Sequence, residues 1–204
     1  MNSLFKHLDA HRDQIDDPEF ESGLWSRFGA EHTVVVVDMA GFTAVSHEKG
    51  VLHYLTLIQE MRALTRPLVE AQSGRVVKFE ADNLFAIFAN PTDALAFISE
   101  AFVATNKLNI DRERTARLKL CAGLDHGQIL LDDADFYGNA VNLASKLGED
   151  MARAGEILVS QEIINRIGET EHHFEEIGSH GFYGCEVPVY ILKHCCESES
   201  EEAT

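Results

Sequence analysis

The sequence predicts an α+β fold, a ferredoxin-like split βαβ sandwich. Three observations carry this. A run of four valines, Val34–Val37, marks a central strand covered on both faces. A strand pair joined by a tight turn follows one helical segment and precedes another. The element order is then strand, helix, strand, strand, helix, strand, with additions at the C-terminal side. At 204 residues the chain is long enough for one domain with a sizeable core and short for two.

Residues 1–31 are polar and acidic with scattered apolar anchors (Leu4, Phe5, Leu8, Leu24, Trp25), which predicts one short amphipathic helix and a linker. Thr33–Val37 is the β-branched strand. Residues 50–72 show helical periodicity, with Val51, Leu55 and Ile58 as the apolar stripe, continued by Met61, Leu64 and Leu68. Pro67 is expected to kink or restart this helix, and Gly74 to cap it. In "RVVKFEADNLFAIF" (75–88) two short strands flank the turn at Ala81-Asp82-Asn83. Simple alternation puts Val77 and Phe79 on one face, Lys78 and Glu80 on the other. Asn90-Pro91 opens a helix with the stripe Ala94, Leu95, Ile98, Ala101 and Phe102. "RLKLCAGLDHGQILL" (117–131) reads as a strand, a turn at His126-Gly127, and a second strand. Asn139 is the expected N-cap of a helix over 140–148. Residues 156–160 and 187–193 read as strands, with a short helix at 161–167. The chain divides into a helical or linker segment (1–31), a main folded domain (32–194) and an acidic, disordered tail (195–204).

With 17 Lys+Arg against 34 Asp+Glu, the formal charge is −17. Such a chain repels nucleic acid and anionic membrane surfaces, so neither is an expected partner. No apolar run approaches the ~20 residues of a membrane span, so no membrane insertion is expected. The four cysteines, Cys121, Cys185, Cys195 and Cys196, have no C-x-x-C spacing, and the N-terminus has no apolar signal region. Reduced thiols in a cytoplasm are the expectation.

A buried strand has no structural need for a charge at its tip, yet the valine run ends on Asp38. Asp82 sits at the hairpin tip. In a split βαβ sheet the first strand can lie beside the hairpin, bringing the two carboxylates to one edge. Two such groups at close range repel unless a cation intervenes, and oxygen-only ligation suits Mg²⁺ or Mn²⁺. The turn "MAGFT" then offers backbone N–H groups at a helix start, including Gly41, Phe42 and Thr43, where phosphate oxygens bind. Together these imply a nucleoside triphosphate, although no G-x-x-x-x-G-K-[ST] loop occurs.

"VVVVDMAGFT", "GRVVKFEADNLFAIF", "CAGLDHGQIL" and "DFYGNAVNLASKLGEDMARAGEILVS" occur in the order of one family. Over residues 31–193 the chain resembles the class III nucleotidyl cyclase catalytic domain. The resemblance implies that Asp38 and Asp82, with the Met39 backbone carbonyl, hold two divalent cations, Mg²⁺ or Mn²⁺. It implies that Lys78 and Asp135 read an adenine edge and that Asn142 orients the ribose. Lys146 stands where the family usually has an Arg that stabilises the transferring phosphoryl group. The activity implied is conversion of ATP to 3′,5′-cyclic AMP and pyrophosphate, in a head-to-tail homodimer whose sites draw the metal set and the base-reading set from different subunits. Other bases (guanine or a pyrimidine) and a nucleotide-binding or dimerisation module without turnover stay open at this point. Four departures stand out: Lys146 in place of Arg, a connection of only "DDA" before "DFYG", no evident basic residue in the late hairpin (though His180 is near), and Glu80 adding charge near the metal site.

Overall fold

The computed structural model describes residues 4–168, 171–182 and 184–193, with the backbone alone for 42–44. The predicted tail, with Cys195 and Cys196, lies outside the described residues.

The N-terminal segment forms two helices rather than one, α1 (Leu4–Ala10) and α2 (Pro18–Phe28). The Asp17 side chain caps α2 by accepting from the Glu19 N–H, and Pro18 fits the first helical position. The chain passes directly into β1 (Gly29–Met39), which is longer at both ends than the valine run suggests. Next come α3 (Phe42–Lys49) and α4 (Val51–Ala71), separated by Gly50 at φ 87°. The hairpin is β2 (Arg75–Glu80) and β3 (Asn83–Phe88), followed by α5 (Pro91–Asn109) and β4 (Leu120–Leu131). The chain closes with β5 (Phe136–Tyr137), α6 (Asn139–Ser145), a π-helical turn (Lys146–Met151), β6 (Ile157–Ser160), α7 (Gln161–Ile167), β7 (His173–Phe182) and β8 (Cys185–Lys193).

The sheet order is β2-β3-β1-β4-β6-β8-β7, with β5 paired to β4. β4 and β6 run parallel, and β1 pairs antiparallel with both β3 and β4. The predicted placement of the hairpin beside the first strand is therefore met. Alternation sorts β1 cleanly. Val35, Val37 and Met39 enter the large core beneath α4, α5 and α7. Val34 and Val36 join Phe85, Ile129, Phe136, Ala140 and Ala144 on the opposite face, under α6.

Five local expectations are corrected. First, α4 is continuous through Pro67. Pro67 and Ala63, whose carbonyl loses its intrahelical donor, are both exposed, so water can take the bond. Second, the core face of α4 is Tyr54, Leu57, Met61, Thr65 and Val69, while Val51 and Leu55 are exposed. Aromatic Tyr54 and a Thr65 whose hydroxyl returns to the Met61 carbonyl satisfy a buried stripe that hydrophobicity alone did not mark. Third, a bulge between Val76 and Lys78 breaks the alternation of β2. Val77 then packs on the α6 face, the same face on which Lys78 sits over Phe85, and Phe79 stays with the large core. Fourth, His126-Gly127 is no turn. β4 runs unbroken because β1 pairs with it from Gly29↔Leu130 to Met39↔Leu120. His126 is buried there, its Nδ1 2.8 Å from Thr33 Oγ1. Fifth, the N-cap of α6 is Gly138, at φ 150°, where a Cβ would stand 2.8 Å from the Gln128 carbonyl oxygen.

Two glycines set how closely the α6 side approaches the sheet. A Cβ on Gly123 (β4) would lie 2.2 Å from the Ala144 oxygen and 2.3 Å from Gly148 N. One on Gly148, in the π-helical turn, would lie 2.8 Å from Gly123 N and 2.9 Å from the Val36 oxygen. These neighbours are backbone and cannot swing aside. Gly148→Ala is expected to destabilise the protein by about 1–3 kcal/mol through overpacking, read as a lower midpoint of denaturant unfolding. An unchanged midpoint would contradict this packing.

Candidate active site

The C-terminal end of β1 and the β2–β3 turn meet at one end of the sheet. Asp38 lies on the α6 face of β1, directly opposite Cys121 in register. The Cys121 thiol donates weakly to the Asp38 carboxylate, Sγ to Oδ2 3.8 Å, and the Met39 N–H also bonds it. Asp82 accepts a 2.6 Å hydrogen bond from the Tyr54 hydroxyl on α4. Burial raises the Asp38 pKa to about 6, helped by the charges of Asp82 and Glu149 and opposed by the bonds from Met39 and Cys121. The same burial, with the Asp38 charge, pushes the Cys121 thiol up to about 12, so it stays a neutral donor. The Tyr54 hydroxyl is also raised, first by burial and then by Asp82. Glu149 is raised by burial, with Asp150, Glu80 and Asp82 adding to it.

Three of these residues escaped sequence reading. Tyr54 offers no signal in a helix. Cys121 is legible only once the β1–β4 register is known. Glu149 lies inside a quoted motif but shows its proximity to Asp38 only in three dimensions.

Asp38 and Asp82 fit a divalent cation. They are hard oxygen donors, and the burial of Asp38 together with the Asp82 charge beside it is what a cation relieves. Among the described residues no group of three or more His, Cys, Asp or Glu forms a metal cage. Two carboxylates, supplemented by the Met39 carbonyl at the end of β1, suit Mg²⁺, which retains water and phosphate oxygens in its shell. The Met39–Gly41 turn leads into α3 through Gly41 at φ 98°, and the Ala40 N–H is already taken by the Lys119 carbonyl at 2.9 Å. Gly41 borders a cavity of about 520 Å³ whose lining includes Tyr54, Lys49, Arg114, Arg117 and Lys119. The side chains of Phe42 and Thr43, both expected to contact substrate, lie outside the described residues.

Lys78 and Asp135, the two residues expected to read the base, lie together. Lys78 Nζ lies 3.2 Å from Asp135 and 2.9 Å from Glu80, and its ammonium rests 5.0 Å from the Phe85 ring centroid. Desolvation works against its charge, but the two carboxylates outweigh it and the Lys78 pKa rises. Asn142 and Lys146 share a second cavity of about 410 Å³ with Glu149, Asp150 and Phe182. There Lys146 is paired with Asp150, both half-exposed.

The family model described as "Adenylate and Guanylate cyclase catalytic domain" matches residues 29–194. The chain belongs to that family. Among its relatives is a protein of Rhizobium meliloti named putative adenylate cyclase 3. It is 26% identical over 162 residues, 78% of this chain and 27% of the relative. An uncharacterized Mycobacterium tuberculosis protein is 29% identical over 126 residues, 62% of this chain and 32% of the relative. The cyclase domain thus spans under a third of the length of these curated relatives. A crystal structure described as an adenylate/guanylate cyclase/hydrolase from Silicibacter pomeroyi is 27% identical, with a TM-score of 0.69 over 80% of this chain and 96% of that one. An adenylyl cyclase of P. aeruginosa, 21% identical, shares the fold at a TM-score of 0.69 over 84% and 99%. Among the described residues, no helix of the cyclase domain is long and apolar enough to cross a membrane.

The raised Asp38 pKa fixes the sign of a pH effect. Its pKa climbs from 3.8 in the unfolded chain to about 6 in the fold. Ionised Asp38 therefore lowers stability as pH rises from 3.8 towards 6, and the cost is fully present above that. Mn²⁺ or Mg²⁺ is expected to raise the melting temperature at about pH 7–8 and to lose this effect as pH falls through 6. Asp38→Asn is expected to abolish the metal-dependent gain. It should also raise the metal-free Tm, by about 2–4 °C for each kcal/mol of relieved repulsion. A metal-induced shift of equal size in Asp38→Asn would rule out this ligand assignment.

Proposed function

We propose that this domain converts ATP to 3′,5′-cyclic AMP and pyrophosphate. The observation that supports adenine is the Lys78–Asp135 pair. A carboxylate accepts from the N6 amino group of adenine, and an ammonium donates to the neighbouring ring nitrogen. Guanine presents the O6 acceptor where adenine presents N6–H₂, so Asp135 would face it with like polarity. The relative named putative adenylate cyclase 3 agrees with this reading.

In the reaction the 3′ oxygen attacks the α-phosphorus in line. The O3′–P bond forms, the bond to the β-phosphate oxygen breaks, and the 3′ hydroxyl proton is released. Bound divalent cations would supply Lewis acidity at the hydroxyl and charge neutralisation at the phosphates. Asp38 and Asp82, with the Met39 carbonyl, would hold them. Asn142 orients the ribose. Lys146 supplies a point charge to the phosphoryl group, without the planar fork of an arginine, and must leave Asp150 to do so. The cations Lys49, Arg114, Arg117 and Lys119 receive the phosphate tail beside Gly41. They are a local positive lining in a chain of net charge −17. The metal set and the base-reading set of one site come from two copies of the chain, in a homodimer of head-to-tail arrangement with two sites.

A panel of ATP, GTP, CTP and UTP with Mn²⁺ and product identification tests the reaction. ATP is expected to give cyclic AMP. Lys78→Glu should reduce kcat/KM for ATP by about 10–100-fold, the scale of losing a charged hydrogen bond, and shift the nucleotide preference. Lys119→Gln should instead raise KM for every triphosphate alike. Preference that is untouched by Lys78→Glu would refute the base-reading role.

The Lys146–Asp150 pair yields a separate expectation. An exposed i,i+4 pair contributes only about 0.3–0.5 kcal/mol, so Asp150→Asn should leave stability nearly intact. It should preserve or raise kcat by releasing Lys146. A large fall in kcat would show that Lys146 does not act on the phosphoryl group.

A further inference from the structure

The connection carrying Asp135 is short and crowded with charge, since Asp132, Asp133 and Asp135 fall within four residues. Their mutual repulsion favours splaying the loop. Local ties close it: Asp132 N–H to the Asp135 carbonyl and Phe136 N–H to Asp135 Oδ1, each at 2.9 Å, and the β4–β5 pairing that buries Phe136. Further ties, on Asp132 and Tyr137, come from the N-terminal arm. The Leu4 N–H donates to Asp132 Oδ1 at 3.1 Å, and Leu4 itself is buried. The Phe5 ring meets Tyr137 edge-on, with centroids 5.4 Å apart and planes at 86°. Tyr137 stands two residues from Asp135, near enough that the Asp135 carboxylate, after burial, raises the pKa of its hydroxyl. The segment 4–28 is itself anchored. His7 stacks on Phe20 at 5.6 Å and packs against Phe28, one residue before β1.

We infer that the N-terminal arm is a positioning element for base recognition: Leu4 and Phe5 hold the 132–137 connection so that Asp135, rather than Glu80 alone, engages Lys78. Lys78 lies within bonding distance of both carboxylates. Glu80 is on the same strand and always at hand. Asp135 reaches Lys78 only while its loop stays closed. A loosened arm lets Asp135 drift, leaves Lys78 with Glu80, and removes the acceptor from the adenine edge. Phe5 and Leu4 touch no substrate; they act through Tyr137 and Asp132. This inference rests on the adenine reading above.

Two measurements test it. Hydrogen exchange, without nucleotide, compares wild type with Phe5→Ala and with a variant lacking residues 1–11. Faster exchange at the 132–137 amides with unchanged exchange across β1 is expected. Kinetics with ATP and GTP then read the consequence. Phe5→Ala should raise KM for ATP about two- to tenfold, the range an aromatic pair supplies. The ATP preference should fall by a similar factor while kcat stays within about twofold, and Phe5→Tyr should restore both. The fluorescence of Trp25, the single tryptophan, reports whether each variant is folded. Unchanged exchange at 132–137, or a lowered Tm with KM and preference intact, would overturn the inference and leave the arm a packing element. A wild-type protein that ignores ATP would sink the adenine reading, while the exchange data still decide whether the arm holds the loop.

Discussion

The close backbone approach of Gly123 of β4 to Gly148 of the π-helical turn sets the geometry of everything around it. With no side chain on either residue, the α6 layer sinks onto the β1–β4 pair so far that a Cβ on Gly148 would meet the Val36 carbonyl oxygen at 2.9 Å. That depth brings Glu149 close enough to raise the Asp38 pKa. It also aligns Asn142 and Lys146 in one cavity with Phe182 from the late hairpin. A layer standing one methyl group higher would separate the helix carrying Asn142 and Lys146 from the C-terminal end of β1.

Electrostatics then divides the face into an acidic end and a balanced one. At the acidic end Asp38, Asp82 and Glu149 repel, and the fold tolerates this by donating to them from neutral groups: the Tyr54 hydroxyl, the Cys121 thiol and the Met39 amide. Neutral donors hold the carboxylates in place without cancelling their charge, which leaves them attractive to a cation. A lysine there would have neutralised the site and removed its use. At the balanced end Lys78 sits between Glu80 and Asp135, so its environment depends on where an acid-rich connection is held. At the acidic end the charged groups destabilise the fold locally, as sites built for ligands commonly do, whereas at the other end the two carboxylates stabilise the Lys78 charge.

Much of the fold was legible along the chain. The valine strand, the hairpin after it, the stripe of α5 and the short helix at 161–167 follow from local periodicity and turn chemistry, which depend on neighbours in sequence. The misreadings share a cause. The stripe of α4 is rotated because Tyr54 and Thr65 are accepted into the core once their hydroxyls are bonded. The bulge at Val77 answers to the register demanded by β3. His126 and Gly127 look like a turn until an eleven-residue β1 is available to pair across them. Each is a decision taken by a partner far away in the chain.

By itself the sequence determined which residue types stand at the strand tip and hairpin tip, and hence that the groups there are carboxylates rather than sulfur or imidazole. It also determined the family, through four motifs in order. Only the tertiary structure decided that Asp38 and Asp82 share one end of the sheet, that Tyr54, Cys121 and Glu149 surround them, and that an N-terminal helix backs the Asp135 loop. Side-chain chemistry is local and can be read one residue at a time. Distances between segments a hundred residues apart are set by packing and register, which no single segment contains.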